Sequence, residues 1–443
     1  MSSSVLLTDL YQLTMLQGYF EEGMEETAVF EFFVRKLPPE RNFFIAAGLE
    51  SLLGYLEQLR FSPEELAWLS GTGRFSEGFI DYLSRLRFTG DVDAMPEGTV
   101  FFPNEPIVRV AAPLPQAQLI ETRLINLLHF QTLIASKATR SVLAAPGKLL
   151  IDFGLRRAHG AEAGLMAARA CYLAGFAGSS NVLAEFVDGV PSYGTMAHSF
   201  IQAHDEETEA FVQFAHAQPN NVVLLLDTYD TEIAARKVVS IAPRLKSAGI
   251  EIKGVRLDSG DLADHARKVR RILDEGGWPG VKILASGNLD EYVLRDLLAS
   301  GAPIDGFGVG SRLDTSADVP YLDCAYKLQE YAGRARRKRS EGKATWPGRK
   351  QVYRRIGPDG RIAEDLLTLE RDPQEGEALL QPVMRAGRRV GSSPPLAEAR
   401  RRAAAELARL PEPLRRLEEA PPYPVKISEA LRRLAAEVDT RSG

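Results

Sequence analysis

The pattern of apolar and polar positions changes character twice along the 443-residue chain. Up to about residue 118, helical and alternating stretches are mixed. Residues 8–23, TDLYQLTMLQGYFEEG, read as a helix with Thr8 as its N-cap. Residues 27–38 alternate Val29, Glu31 and Phe33 against Phe30, Phe32 and Val34, as a strand does. AGLESLLGYLEQL and SEGFIDYLSRL predict amphipathic helices. Residues 90–114 are short apolar runs punctuated by Pro and Gly, which suits a small antiparallel sheet. QAQLIETRLINLLHFQTLIASKATRSVLAA is rich in good helix formers and predicts one long helix.

A second texture begins at Lys148. Short apolar stretches end in polar clusters and lead into helical patterns at 148–160, 174–184, 191–200, 221–231, 251–261, 281–291 and 303–313. These seven strand–helix units imply parallel strands with right-handed crossovers. Polar residues recur at the C-terminal end of every strand, where barrel enzymes keep their chemistry, so an irregular α/β barrel is expected. An open doubly wound sheet is the competing arrangement. No GxGxxG follows the first strand, which argues against a dinucleotide domain. Beyond Leu322 the pattern breaks again. Residues 326–355 predict strand, basic loop and strand, with RKRSEGK on the surface. LAEARRRAAAELARL and ISEALRRLAAEV predict arginine-rich helices with a solvated charged face, and 391–399 form a linker between terminal elements.

Length adds that the chain exceeds one ordinary core, so two domains are expected. Hydrophobic content of 45% and charged content of 26% belong to a soluble globular protein. No run is long and apolar enough to cross a bilayer, and the N-terminal stretch lacks the pattern of a signal peptide. Cys171 and Cys324 alone exclude a disulfide framework or a cysteine zinc cluster, and the cytoplasm is the default address. A net charge of −5 and a pI near 5.9 argue against a nucleic-acid coat.

Candidate chemistry centres on GTMAHSFIQAHD, residues 194–205. Gly194 and Thr195 precede His198 and Ser199 at a predicted helix start, where free N–H groups suit an anion. A histidine there can serve as acid, base or nucleophile near neutral pH; alone, it could equally satisfy a buried polar contact. The other strand ends add Asp152, Phe153, Arg156, Arg157, Ser179, Ser180, Asp227, Arg256, Asp258, Asp261, Ser286 and Asn288. Asp and Ser in such places are commonly helix caps. Arg156 and Arg256 are not explained that way, because arginine at a barrel mouth needs an anionic partner. Gly308, Gly310 and Ser311 close the last strand with small residues that suit a phosphate. Asp258 and Asp261 could hold a sugar diol or Mg²⁺, with an Asx cap as the alternative for Asp261.

TDLYQLTM, FFVRKLP, PEGTVFFPNEPI, LIASKATR, DFGLRRAHG, GTMAHSFIQAHD, LLLDTYDT, GVRLDSGDLA, SGNLDEY and SEGKATWPGRKQVYR follow the order found in nicotinate phosphoribosyltransferases. Over almost its whole length the chain resembles that family. The resemblance implies an irregular α/β barrel, about 119–324, and a sandwich domain made from 1–118 and 325–443. It implies a homodimer with shared sites and an ATP-coupled reaction, in which nicotinate and 5-phosphoribosyl 1-diphosphate give nicotinate mononucleotide and diphosphate with Mg²⁺.

His198 matches the histidine phosphorylated by ATP, and Asp227 the carboxylate that orients it. Phe153 and Tyr11 match the aromatic pair around the pyridine ring, Tyr11 coming from the other subunit. Arg256 matches the arginine facing the nicotinate carboxylate. Thr195 falls at a substrate-contacting position, and Gly308, Gly310 and Ser311 match the 5′-phosphate loop. The strand-end constellation adds Asp258 as catalytic and Arg156, Asp261 and Ser286 as substrate contacts, with Ser179 and Ser180 beside them. The family commonly reads GTSN and GVGT where this chain has GSSN and GVGS, so Ser179 and Ser311 keep the hydroxyl. Related nicotinamide-using enzymes carry aspartate at Ser180, and a neutral serine there favours the acid substrate. The competing functions are a nicotinamide or quinolinate phosphoribosyltransferase and a non-catalytic, ligand-sensing barrel.

Overall fold

Six of the seven predicted strands form one parallel sheet in the computed structural model, which describes residues 4–441. They are β1 (Leu149–Asp152), β2 (Gly178–Ser179), β3 (Val222–Leu225), β4 (Ile252–Leu257), β5 (Lys282–Ser286) and β6 (Gly306–Val309). The order is β2-β1-β6-β5-β4-β3, with every pairing parallel. The last strand lies beside the first, which is the order of a curled half-barrel and excludes the doubly wound alternative. β3 is buried along its whole length, the pattern of a strand covered on both faces. Helices Ala161–Ala174, Thr231–Ser247, Leu262–Glu275 and Glu291–Ala299 supply crossovers.

The third expected strand, at 191–200, is a correction. Only a single bridge, Ser179 to Ser192, marks its place. Ser179 donates its N–H to Pro191 O at 3.0 Å, and Tyr193 donates to Ser179 O at 2.8 Å. Pro191 has no N–H to give, and β2 is itself two residues long. On the far side, the Asn221 side chain donates to Gly194 O at 3.0 Å, where a ladder would otherwise run. The barrel wall is therefore a loop at this point.

This sheet belongs to a compact unit comprising Lys137–Pro320. Within it, Lys137 and Arg140 of the LIASKATR motif clamp the buried carboxylate of Glu291, at 2.7 Å each. The other unit combines Met1–Ser136 with Tyr321–Gly443. The unit boundary falls inside the helix Glu121–Ala144, later than the sequence boundary at 118, and the return at Tyr321 precedes the sequence boundary at 324.

The two chain ends interleave in a seven-stranded sheet. Thr27–Val34 sits between Cys324–Tyr331 and Pro106–Pro113, antiparallel to both. Its predicted alternation does not appear as burial, because Ala28 to Val34 are all buried. Glu31 is kept among them by Lys350, whose Nζ lies 2.7 Å from Oε2 and whose N–H donates to Oε1 at 3.0 Å. The first helix is Leu10–Glu21 with Asp9, not Thr8, at its N-cap. The long helix breaks at Ile120 into Leu114–Leu119 and Glu121–Ala144. Helix Pro63–Gly71 was not expected, although Ser62 and Glu65 form a capping box that the sequence spells out.

A four-stranded sheet contains Lys350–Ile356 and Ile362–Leu369. Arg354, fully buried, forks onto Asp365 at 2.6 and 3.0 Å and onto Glu406 at 2.6 Å. Arg354→Met leaves two carboxylates stranded and should lower unfolding stability by about 3–5 kcal/mol in denaturant titration. Arg416→Met, at an exposed helical pair with Glu412, should leave the transition where it is.

Candidate active site

The parallel strands surround a cavity of about 450 Å³ that runs from their N-terminal ends, at Leu149, Lys282 and Asp305, up to Phe153 and Arg256. Alternate residues point inward at the period-2 spacing of a strand: Ile151 and Phe153 from the first strand, Arg256 from β4, Leu284 from β5. Tyr193 and Thr195 line it from the loop that replaces a third strand. The structure thus brings Phe153, Thr195 and Arg256 together. Tyr193 is an addition whose only sequence signal was an aromatic just ahead of Gly194.

Arg256 is the charged centre of this cavity. Its Nη1 donates to Thr195 Oγ1 at 3.3 Å, while Nε is buried without any partner. Among the described residues, no carboxylate forms an ion pair with it. Burial pulls the guanidinium's proton affinity below its usual value, and the charges of Asp258 and Asp227 partly restore it. A half-buried cation with one neutral hydrogen bond and a buried, free N–H suits a planar anion.

Phe153 forms the wall beside it. Its N–H donates to Val309 O at 2.8 Å. Its ring packs on Gly308, where an added Cβ would lie 2.3 Å from Phe153 Cδ2. At Gly310 a Cβ would come within 2.9 Å of the Phe153 carbonyl. These glycines were expected to admit a phosphate, but the structure requires them first to seat Phe153; Gly308 itself is buried inside β6. Ser311 begins the single-turn helix Ser311–Asp314 and is half-buried.

His198 opens the helix His198–Gln202, with Ala197 at the N-cap. Its Nδ1 is 3.1 Å from Thr228 Oγ1, and its Nε2 is 3.8 Å from Asp258 Oδ2. Asp227, expected to orient the imidazole, makes neither contact; Thr228 and Asp258 take that place. The Asp227 Oδ2 accepts the Ser259 hydroxyl, and its Oδ1 is buried without a partner. Asp258 in turn accepts the buried hydroxyl of Ser286, so Ser286 holds a carboxylate. Gly287 lets this happen, with φ of +96° and space for no Cβ, which would meet Asp258 O at 2.1 Å.

Other candidates separate. Ser179 was expected to touch substrate but is wholly buried, donating to Asp152 Oδ2 at 2.6 Å and accepting the Asn181 N–H at 3.1 Å. Ser180 is half-buried, with its N–H on Asp152 O at 2.8 Å. Asp261 is an N-cap, its Oδ1 accepting from Ala263 and Asp264, so the cap reading describes it. Arg156 and Arg157 are exposed in the turn Leu155–Arg157. Asn288 is exposed with φ of +50°. Tyr11 belongs to the other unit, on Leu10–Glu21, and is 48% exposed. Among the described residues, no group of three or more His, Cys, Asp or Glu is placed to hold a metal.

Three family models match the chain: the nicotinate phosphoribosyltransferase N-terminal domain over residues 6–129, the nicotinate phosphoribosyltransferase family over 149–337, and its C-terminal domain over 372–435. A nicotinate phosphoribosyltransferase of Mycobacterium tuberculosis is 48% identical over 428 residues, covering 96% of this chain and 92% of its own. One from Bacillus subtilis is 40% identical, covering 81% and 74%. The crystal structure of human nicotinic acid phosphoribosyltransferase superposes with a TM-score of 0.87 at 31% identity, covering 98% of this chain and 99% of that one. A nicotinate-nucleotide pyrophosphorylase from Pyrococcus furiosus superposes with a TM-score of 0.73 at 26% identity, covering 91% and 94%.

The contact between Gly308 and Phe153 can be tested directly. Gly308→Ala should displace the ring and weaken binding of a pyridine carboxylate by about tenfold, from an overpacking strain of about 1–3 kcal/mol. Calorimetry reads this, and unchanged affinity would remove the ring from the binding surface.

Proposed function

The chain belongs to the nicotinate phosphoribosyltransferase family, and from that footing we propose that it couples ATP hydrolysis to joining nicotinate with 5-phosphoribosyl 1-diphosphate. The observation that carries this reading is Arg256, a half-buried guanidinium with a buried, unpartnered Nε in the cavity that Phe153 walls. A flat aromatic carboxylate answers both groups at once. Serine at 180, uncharged, presents nothing to repel it, whereas nicotinamide would leave Arg256 without an anion.

In the condensation, the pyridine nitrogen attacks the anomeric carbon as the bond to diphosphate oxygen breaks. No protein nucleophile is required. The chain's work is to hold the ring by Phe153 and the carboxylate by Arg256, so that the nitrogen points at that carbon. Arg156, exposed and without a partner among the described residues, is available to the departing diphosphate. Mg²⁺ fits the oxygen donors here, since it needs only one or two carboxylates beside substrate phosphates. Asp227, with its orphaned Oδ1, and Asp258 would hold it. When bound, it neutralises diphosphate charge.

His198 is the acceptor for the ATP γ-phosphoryl group. With Nδ1–H donated to Thr228, the Nε2 lone pair is free to attack phosphorus, and the bond to ADP breaks. Asp258, near Nε2, favours the developing positive charge on the ring. Hydrolysis of the phosphohistidine then drives product release. We read the enzyme as a cytoplasmic homodimer sharing sites through Tyr11. Exposed apolar side chains support an assembly, notably Tyr11 and Phe186, the latter 85% exposed.

Incubation with nicotinate, the phosphoribosyl donor and Mg²⁺, with and without ATP, tests the reaction; nicotinamide and quinolinate serve as rival substrates. Mononucleotide from nicotinate and ATP turnover dependent on it are expected. ATP labelled on its γ-phosphorus should mark wild type with acid-labile phosphate and leave His198→Ala unmarked; label retained in that variant would sink the assignment. Arg256→Gln should raise the KM for nicotinate by about 10–100-fold, the worth of about 1.5–3 kcal/mol for a hydrogen bond to a charged group.

A further inference from the structure

A buried acidic pair lies beneath the cavity walls and is used by none of the steps above. Asp152 ends β1 and Asp314 ends the turn of helix Ser311–Asp314 that follows β6, the neighbouring strand. Both residues are wholly buried. Asp152 is well supplied, taking the Gly154 N–H on Oδ1 at 2.7 Å and the Ser179 hydroxyl on Oδ2 at 2.6 Å. Asp314 has no N–H or O–H donor on either oxygen. Its carboxyl is pressed on Gly154, where an added Cβ would lie 2.2 Å from Asp314 Cγ. Both carboxyls therefore converge on Gly154, Asp152 on its N–H and Asp314 against its Cα.

Two carboxylates cannot share such a pocket, since like charges in low dielectric repel and neither could donate to the other. One proton resolves both problems. We infer that Asp152 and Asp314 share a single proton, making Asp314 a positioning residue that ties the Phe153 turn to the Gly308–Ser311 loop. Asp314 is the donor, because Asp152 already accepts two hydrogen bonds that favour its charged form. The bond joins the loop that carries the ring platform to the loop expected to receive the 5′-phosphate.

The electrostatics agree. Burial and the Asp152 charge push the Asp314 carboxyl well above the usual carboxylate range. Asp152 is raised by burial and pulled back by its hydrogen bonds. Cys171, from helix Ala161–Ala174, is the other titratable group facing the pair, and its thiol is held well above its ordinary range by burial and by both aspartates. Arg156 and Arg157 in the adjoining turn are exposed and do not figure among the groups acting on Asp314. Arg312, on the same short helix, is engaged with Asp290. A carboxyl whose folded pKa exceeds its unfolded one takes up a proton on folding. Its support for the fold thus declines as pH rises from the unfolded value, and the bond itself is lost above the folded value.

The test uses the full-length enzyme and two readouts, of which the kinetic one rests on the proposed reaction and the spectroscopic one does not. In infrared difference spectra of wild type minus Asp314→Asn, the C=O stretch of a protonated, buried carboxyl should stand out at neutral pH and fade on the alkaline side. In kinetics, the KM values for nicotinate and the phosphoribosyl donor should rise along the same alkaline limb. Asp314→Asn, which still donates but cannot ionise, should hold near-wild-type KM values at neutral pH and lose that limb. Asp314→Ala should raise both KM values by about tenfold, the size of one buried hydrogen bond to a charged group. An unchanged alkaline limb in Asp314→Asn, or the absence of a protonated carboxyl band from the difference spectrum, overturns the proposal. If activity fails with nicotinate altogether while the band behaves as described, the reaction is misread and the shared proton stands.

Discussion

Holding the half-buried Arg256 guanidinium, its Nε wholly out of solvent, without a carboxylate paired to it is the constraint on which the site depends. Desolvation of a cation is unfavourable, and the single bond to the Thr195 hydroxyl offsets little of it. The fold tolerates this because Asp227 and Asp258 act through space. An anionic ligand supplies what the protein withholds, so binding relieves a cost built into the cavity. Had either aspartate paired directly with Arg256, the cavity would be satisfied in advance and its affinity for a carboxylate correspondingly lower.

The surrounding architecture serves that arrangement. Period-2 strands put Ile151, Phe153, Arg256 and Leu284 on one inner surface. The missing third strand lets Tyr193 and Thr195 enter the cavity from a loop, freed from the alternation that a ladder would impose. Near the strand ends, hydroxyls act as holders of acidic and imidazole groups: Thr228 for His198, Ser259 for Asp227, Ser286 for Asp258, Ser179 for Asp152. Each fixes an acidic or imidazole group without adding charge of its own.

The fold was largely legible from sequence, and so was the meeting of Phe153, Thr195 and Arg256 in one cavity; individual contacts were not, for a shared reason. Neighbouring residues at a strand end point to opposite sides, and the motif does not say which of them faces inward. LLLDTYDT offers Asp227 and Thr228, and the hydroxyl, not the carboxylate, reaches the imidazole. GSSN offers Ser179 and Ser180, and the first is buried against Asp152. The glycines near 308 were visible, but the ring occupying their missing side chain comes from another strand and leaves no trace in local sequence. Strand 191–200 was misassigned because apolar content was weighed over Pro191, which cannot sustain a ladder. Beyond Lys350, most strands escaped notice because ion pairs such as Arg354–Asp365 place charged residues inside and blur the alternation.

The interleaved sheet has a consequence for how the chain is made. Thr27–Val34 leaves the ribosome early, yet its neighbour Cys324–Tyr331 is translated only after all of Lys137–Pro320. Throughout that interval one edge of an apolar strand stands open, a template for any other extended segment nearby. Nascent chains of this protein must therefore be sheltered during synthesis, and truncated products, which never receive the closing strand, are the species destined to aggregate.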